Sequence, residues 1–210
     1  LPVIGREGNI KKFNSDDLFR FHSTNYNTDG LLIVASGNLK HDELIKLTEK
    51  YITQRNSKIR KCRDKFSHKK VKDTFIEKDV QQVHTIIGRS SYGYNDKRRI
   101  PVRFLSALLG EGSSSRLFLA VREKLGITYQ INTFLNSYFD TSAFGVYFST
   151  NQQQYARVID IVFKEFEKIK YSLVKDKELK KVKEYLKGGV LLSMESTTNR
   201  MMRIANSILY

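Results

Sequence analysis

Two runs of strict two-residue alternation, Tyr129/Ile131/Thr133/Leu135 and Phe144/Val146/Phe148, stand on either side of the short break Tyr138-Phe139-Asp140-Thr141. A period of two sends every apolar side chain to one face of a strand, so the pair predicts two antiparallel strands with one face buried. The period then changes. Tyr155, Val158, Ile159, Val162, Phe163, Phe166 and Ile169 form one helical stripe, and Leu179, Val182, Leu186, Val190 and Met194 form another. A last helix is predicted over 198–209. Strands followed by helices point to an α+β fold, an antiparallel or mixed sheet covered by helices.

The upstream residues extend this pattern. Stretches 74–78 and 83–88 read as strands, and Val102, Leu105, Leu108 and Leu109 place a helix over about 98–109. Gly110-Glu111-Gly112-Ser113 breaks it. Ser113 or Ser114 is then placed to cap a second helix through Leu117, Phe118, Val121 and Leu125, with Gly126 to end it. Near the start, Asn14-Ser15-Asp16-Asp17 caps a helix over about 15–25. Gly30–Gly37 is a short apolar run between glycines and reads as a buried strand. His41-Asp42-Glu43 opens a helix carrying Leu44, Leu47 and Tyr51. About sixty residues with one central strand do not make a complete domain. Gly188-Gly189 inside a long helix marks a kink or a close packing contact.

Charge and residue types exclude several functions. Lys and Arg number 37 and Asp and Glu 22, a formal balance of +15. Residues 55–72 hold nine of the cations against Asp64 alone, so +8 falls in eighteen residues. This run has few apolar residues and no period, so it reads as a solvated connection between two folded pieces. No recognition helix, zinc finger or aromatic RNA-binding signature accompanies it, and no nucleic-acid partner is expected. Apolar runs such as Leu31–Ala35 are far shorter than the ~20 residues of a membrane span, so no membrane association is expected. Cys62 is the only cysteine, which excludes an internal disulfide and any Cys-based zinc cluster. The histidines stand at 22, 41, 68 and 84. None lies three or four residues from another, so no helical turn offers a pair of ligands, and no metal site is expected in this chain. His41-Asp42-Glu43 is a helix first turn with acids at the positive dipole end. Dinucleotide, P-loop and Gly-x-Ser-x-Gly motifs are absent. The chain opens at Leu1, with neither an initiator Met nor a signal peptide, and a fragment is expected.

One stretch is more specific. Leu108-Leu109-Gly110-Glu111-Gly112-Ser113-Ser114-Ser115-Arg116-Leu117-Phe118 continues through Arg122-Glu123-Lys124-Leu125-Gly126-Ile127-Thr128-Tyr129. It closely resembles the signature of the pitrilysin/insulinase-type, inverted-zincin metallopeptidases, in the branch related to mitochondrial processing peptidase. Leu1-Pro2-Val3-Ile4-Gly5 with Glu7-Gly8-Asn9-Ile10, the run Leu32–Gly37, Tyr138–Ser142 and Leu191–Ser196 are similar to further segments of that family. The likeness runs over nearly all 210 residues.

The resemblance implies two α+β repeats facing each other as a clamshell. Residues 1–55 would end the first repeat, 56–72 would be the basic connection, and 73–210 would be the second repeat, truncated at its end. Zinc would be held by the full-length protein through a His-x-x-Glu-His that this chain lacks. By resemblance, Arg122 and Tyr129 would bind substrate and act in catalysis from across the chamber. Arg offers a fixed fork of donors, and Tyr can donate to a developing oxyanion. Arg116 reads as a structural or interface residue. Glu111 departs from the glycine of the pattern and puts the loop conformation in question. The expected activity is zinc metalloendopeptidase action on peptides or unfolded segments in an enclosed chamber, with this chain alone inactive. The expected partners are a peptide substrate, the missing N-terminal zinc-binding half and a second subunit in a homo- or heterodimer; the expected compartment is the cytoplasm. The alternative is a non-catalytic partner or structural core subunit of the same fold.

Overall fold

The computed structural model describes residues 4–53, 65–67, 74–77, 79 and 81–210. The chain divides into two compact units, Leu1–Asp64 with Thr197–Leu209, and Lys65–Ser196 with Tyr210. Most of the basic segment 55–72, including Cys62 and His68, lies outside the described residues. Within it, the Phe66 amide donates to Asp140 Oδ2 at 2.8 Å.

The first unit is helical. It contains α1 (Glu7–Ile10), α2 (Ser15–Asn25), α3 (His41–Tyr51) and α7 (Thr197–Leu209). The cap read at α2 is realised as a full capping box. Asn14 Oδ1 accepts from the Asp17 amide at 3.0 Å, and Asp17 Oδ2 accepts from the Asn14 amide at 3.3 Å. The buried strand predicted at Gly30–Gly37 is not formed. Residues 31–36 carry no ladder, and Leu31 and Ile33 are 51% and 39% exposed. An apolar run becomes a strand only when another backbone pairs with it, and none of the described residues does so.

The second unit is α+β. Strands β1 (Val83–Tyr92), β2 (Gln130–Ser137) and β3 (Thr141–Thr150) form one antiparallel sheet in the order β1-β3-β2. β1 pairs along its whole length, from Val83 opposite Thr150 to Tyr92 opposite Thr141. β2 runs from Gln130 opposite Ser149 to Ser137 opposite Ser142, which is the hairpin expected from the alternation. β1 extends beyond the predicted 83–88, whereas residues 74–77 take no regular structure. The helices are α4 (Arg99–Gly110), α5 (Tyr155–Tyr171) and α6 (Asp176–Ser193).

The core joins one face of the sheet to α4, α5 and the segment 117–121. Ile131, Val146 and Phe148 meet Leu109, Leu117, Val121, Val158 and Val162, all buried. α4 ends hard against β2. A Cβ added at Gly110 would lie 2.5 Å from the Thr133 amide nitrogen, so only glycine permits this approach. Ser106 and Thr133, both buried, lock the contact: Thr133 Oγ1 donates to the Ser106 carbonyl at 2.8 Å. Gly188 and Gly189 do not mark a close contact, since a Cβ added at either meets nothing within 4 Å, and α6 runs through both. No described helix is long and apolar enough to cross a membrane.

Candidate functional site

The segment after α4 carries the residues singled out by sequence. Glu111 follows α4 in ordinary extended backbone, φ −104° and ψ 121°, so the departure from glycine there brings no backbone strain. Its carboxylate accepts from Ser106 Oγ at 2.7 Å and pairs with Arg103. The glycine the loop does need is Gly112, at φ +77°. Ser115, buried, donates from both its amide and its hydroxyl to the Gly112 carbonyl, at 3.2 and 2.8 Å. No Ser113 or Ser114 side-chain cap forms on the helix that follows.

That helix differs from the one predicted. Phe118–Glu123 is a π-helical turn, with the Lys124 amide donating to the Leu119 carbonyl five residues back at 3.1 Å. Such turns are rare and recur at functional sites. Leu117 and Val121, both fully buried, root it in the core. It ends as expected at Gly126, whose φ of +62° is the left-handed conformation, with the Gly126 amide on the Arg122 carbonyl at 3.0 Å. The chain then returns to β2, held by Thr150 Oγ1 donating to the Ile127 carbonyl at 2.6 Å.

Arg122 lies on the π-helical turn, exposed, with its guanidinium 4.9 Å from the centroid of the Phe118 ring. None of the described residues gives it a carboxylate. Tyr129 lies just before β2 and is 81% exposed, and its hydroxyl makes no hydrogen bond to a described residue. Among the described residues, both side chains therefore have unengaged donors, at the two ends of one anchored connection. Arg116 is different. Its guanidinium grips Glu178 on α6 through two bonds, Nε at 2.7 Å and Nη2 at 2.6 Å. The Arg116 donors hold the Glu178 carboxyl below the ordinary carboxylate range, and Glu178 in turn raises Arg116. This is a structural clasp between the loop and α6.

The contact between Phe118 and Arg122 was not singled out in the sequence. Its signal was the i, i+4 spacing of an aromatic and an arginine, which puts the two side by side on a helical surface. No cluster of three or more His, Cys, Asp or Glu able to hold a metal occurs among the described residues. His84 is engaged with Tyr147, Nδ1 to Oη at 2.8 Å, and belongs to no such cluster among the described residues.

Comparison with known proteins gives the family of the chain. Residues 12–186 match the family model described as the peptidase M16 inactive domain. An uncharacterized zinc protease of Rickettsia bellii is 27% identical over 209 residues, covering 98% of this chain and 50% of the relative. An uncharacterized zinc protease of Bacillus subtilis is 29% identical over 202 residues, with 96% and 49% covered. The chain thus spans about half the length of the curated relatives it matches. Among solved structures, a protease from Helicobacter pylori superposes with a TM-score of 0.80 at 22% identity, over 98% of this chain and 51% of that one. A chain of complex III2 from Candida albicans gives 0.76 at 17% identity, over all of this chain and 52% of that one.

Proposed function

Since this chain belongs to the family of the peptidase M16 inactive domain, we propose that it is the half of a zinc metalloendopeptidase that holds substrate without holding the metal. No cluster of His, Cys, Asp or Glu able to hold a metal occurs among the described residues, and in this reading the metal and the water it activates are held by residues outside this chain. What this chain brings is Arg122 and Tyr129. Arg122 presents a planar fork suited to a peptide carbonyl or carboxylate. The Tyr129 hydroxyl donates a hydrogen bond to the oxygen on which negative charge develops as the peptide carbonyl becomes tetrahedral. Both residues act by position and hydrogen bonding, and no proton leaves Arg122.

The observation that supports this most is the Arg122 guanidinium, exposed and without a carboxylate among the described residues, on a turn rooted by the fully buried Leu117 and Val121. An arginine kept only for solubility needs no such rooting. The test compares this chain with the protein carrying both halves. The longer protein should bind zinc and cleave an internally quenched peptide, with cleavage lost to a chelator, while residues 1–210 alone should do neither. Zinc binding or cleavage by residues 1–210 alone would overturn the assignment.

A second reading has its own support. The matched family is named for inactivity, and the fold is shared with a chain of complex III2 from Candida albicans. A partner or structural core subunit predicts that the longer protein binds no zinc and cleaves only when a second, zinc-carrying chain is added.

A further inference from the structure

We propose that Phe118 is a positioning residue that holds the Arg122 guanidinium in its working orientation. The proposal rests on the reading of Arg122 as a substrate-binding group and deepens it. Three observations carry it. The guanidinium lies 4.9 Å from the Phe118 ring centroid, within reach of a cation–π interaction, whereas no described carboxylate orients it. Phe118 is partly buried but is neither in the hydrophobic core cluster nor among the partly buried apolar residues packed against it, so that cluster does not account for an aromatic ring there. The π-helical turn fixes the ring's base, because Leu117 on one side and Val121 three residues on are fully buried and cannot shift without opening the core.

The chemistry explains why a ring would be used in place of an acid. A carboxylate beside Arg122 would orient it but would also occupy the donors meant for substrate. An aromatic face holds the cation through its quadrupole and leaves all five N–H donors at the edge of the guanidinium plane free. Phe118 thus pre-orients the fork at no cost in donors, and substrate finds a group whose side-chain freedom is already reduced.

The test separates platform from packing. In the protein carrying both halves, Phe118→Leu keeps an apolar side chain and removes the π face. It should raise KM for an internally quenched peptide about two- to fivefold, the range for an exposed cation–π contact. The melting temperature should stay the same, and Phe118→Tyr should restore wild-type KM. In residues 1–210, the Arg122 Hε resonance should show a ring-current shift in wild type and Phe118→Tyr that Phe118→Leu abolishes. An unshifted Hε resonance in wild type, or wild-type KM in Phe118→Leu, overturns the platform. Arg122→Ala serves as the separate control: if it cleaves normally, the substrate-binding reading itself fails, whatever Phe118 does.

Discussion

Gly110→Ala gives a sharp test of how α4 seats on the sheet. The new Cβ would lie 2.5 Å from the Thr133 amide nitrogen, 2.8 Å from Thr133 Cγ2 and 3.0 Å from the Asn132 carbonyl carbon. Heavy atoms normally meet at about 3.5–4.0 Å, so the overlap is roughly 1 Å. Two of the three atoms are backbone of the paired strand β2, which cannot swing aside as a side chain would. Overpacking of this kind costs about 1–3 kcal/mol, and the backbone neighbours place this case at the upper end. Ala recovers at most about 1 kcal/mol of helix propensity, so the net loss is about 2 kcal/mol. That corresponds to a fall of about 4–8 °C in the melting temperature of a chain this size. Gly188→Ala makes the same chemical change on α6, where nothing lies within 4 Å. It should therefore stabilise by about 0.4–1 kcal/mol. Thermal and urea unfolding followed by circular dichroism read both. If Gly110→Ala melted at or above wild type, α4 would not rest on β2 as described.

Four further outcomes follow from other contacts. Glu178→Gln should cost about 1–2 kcal/mol at pH 7, because it removes a carboxylate that accepts two charge-assisted bonds from Arg116. The folded pKa of Glu178 is depressed, so its stabilisation is present above the ordinary carboxylate range and is lost as pH falls through the lower folded value. Urea titrations from pH 7 down to pH 3 should therefore show wild type and Glu178→Gln converging, and a constant gap would contradict the assignment. Leu117→Ala empties a fully buried site and should cost about 2–5 kcal/mol, with loss of the native melting transition as the extreme result. Thr128 Oγ1 is buried without a hydrogen-bond partner among the described residues, so Thr128→Val should stabilise by about 1 kcal/mol in the same urea assay.

Local signals in the sequence were sufficient where the structure is local. The Asn14/Asp17 box is complete within four residues, and the β2–β3 hairpin follows from alternation across a short break. Non-local features were not legible. The run 31–37 is apolar enough for a strand, yet a strand exists only through its neighbour, and spacing within the run cannot supply one. The π-helical turn at Phe118–Glu123 was hidden for a related reason. Leu117 and Val121 are four apart, which fits a regular helix, so their spacing carries no sign of the extra residue in the turn. The Arg116–Glu178 clasp joins residues 62 apart in sequence, and no periodicity links them. Arg122 and Tyr129 were singled out by resemblance to a signature. Their exposure and unengaged donors come only from the folded chain.

The most direct test of the central claim is kcat/KM for an internally quenched peptide in the protein carrying both halves, comparing wild type with Arg122→Ala and Tyr129→Phe. Each substitution removes donors at an exposed position, so folding and zinc content should be unchanged. Each should lower kcat/KM at least tenfold, about 1.4 kcal/mol of transition-state stabilisation. Tyr129→Phe should act on kcat, because its hydroxyl is assigned to charge that develops only during reaction. Wild-type kcat/KM in either variant, with zinc retained, would contradict the claim that this half of the protein works on the substrate.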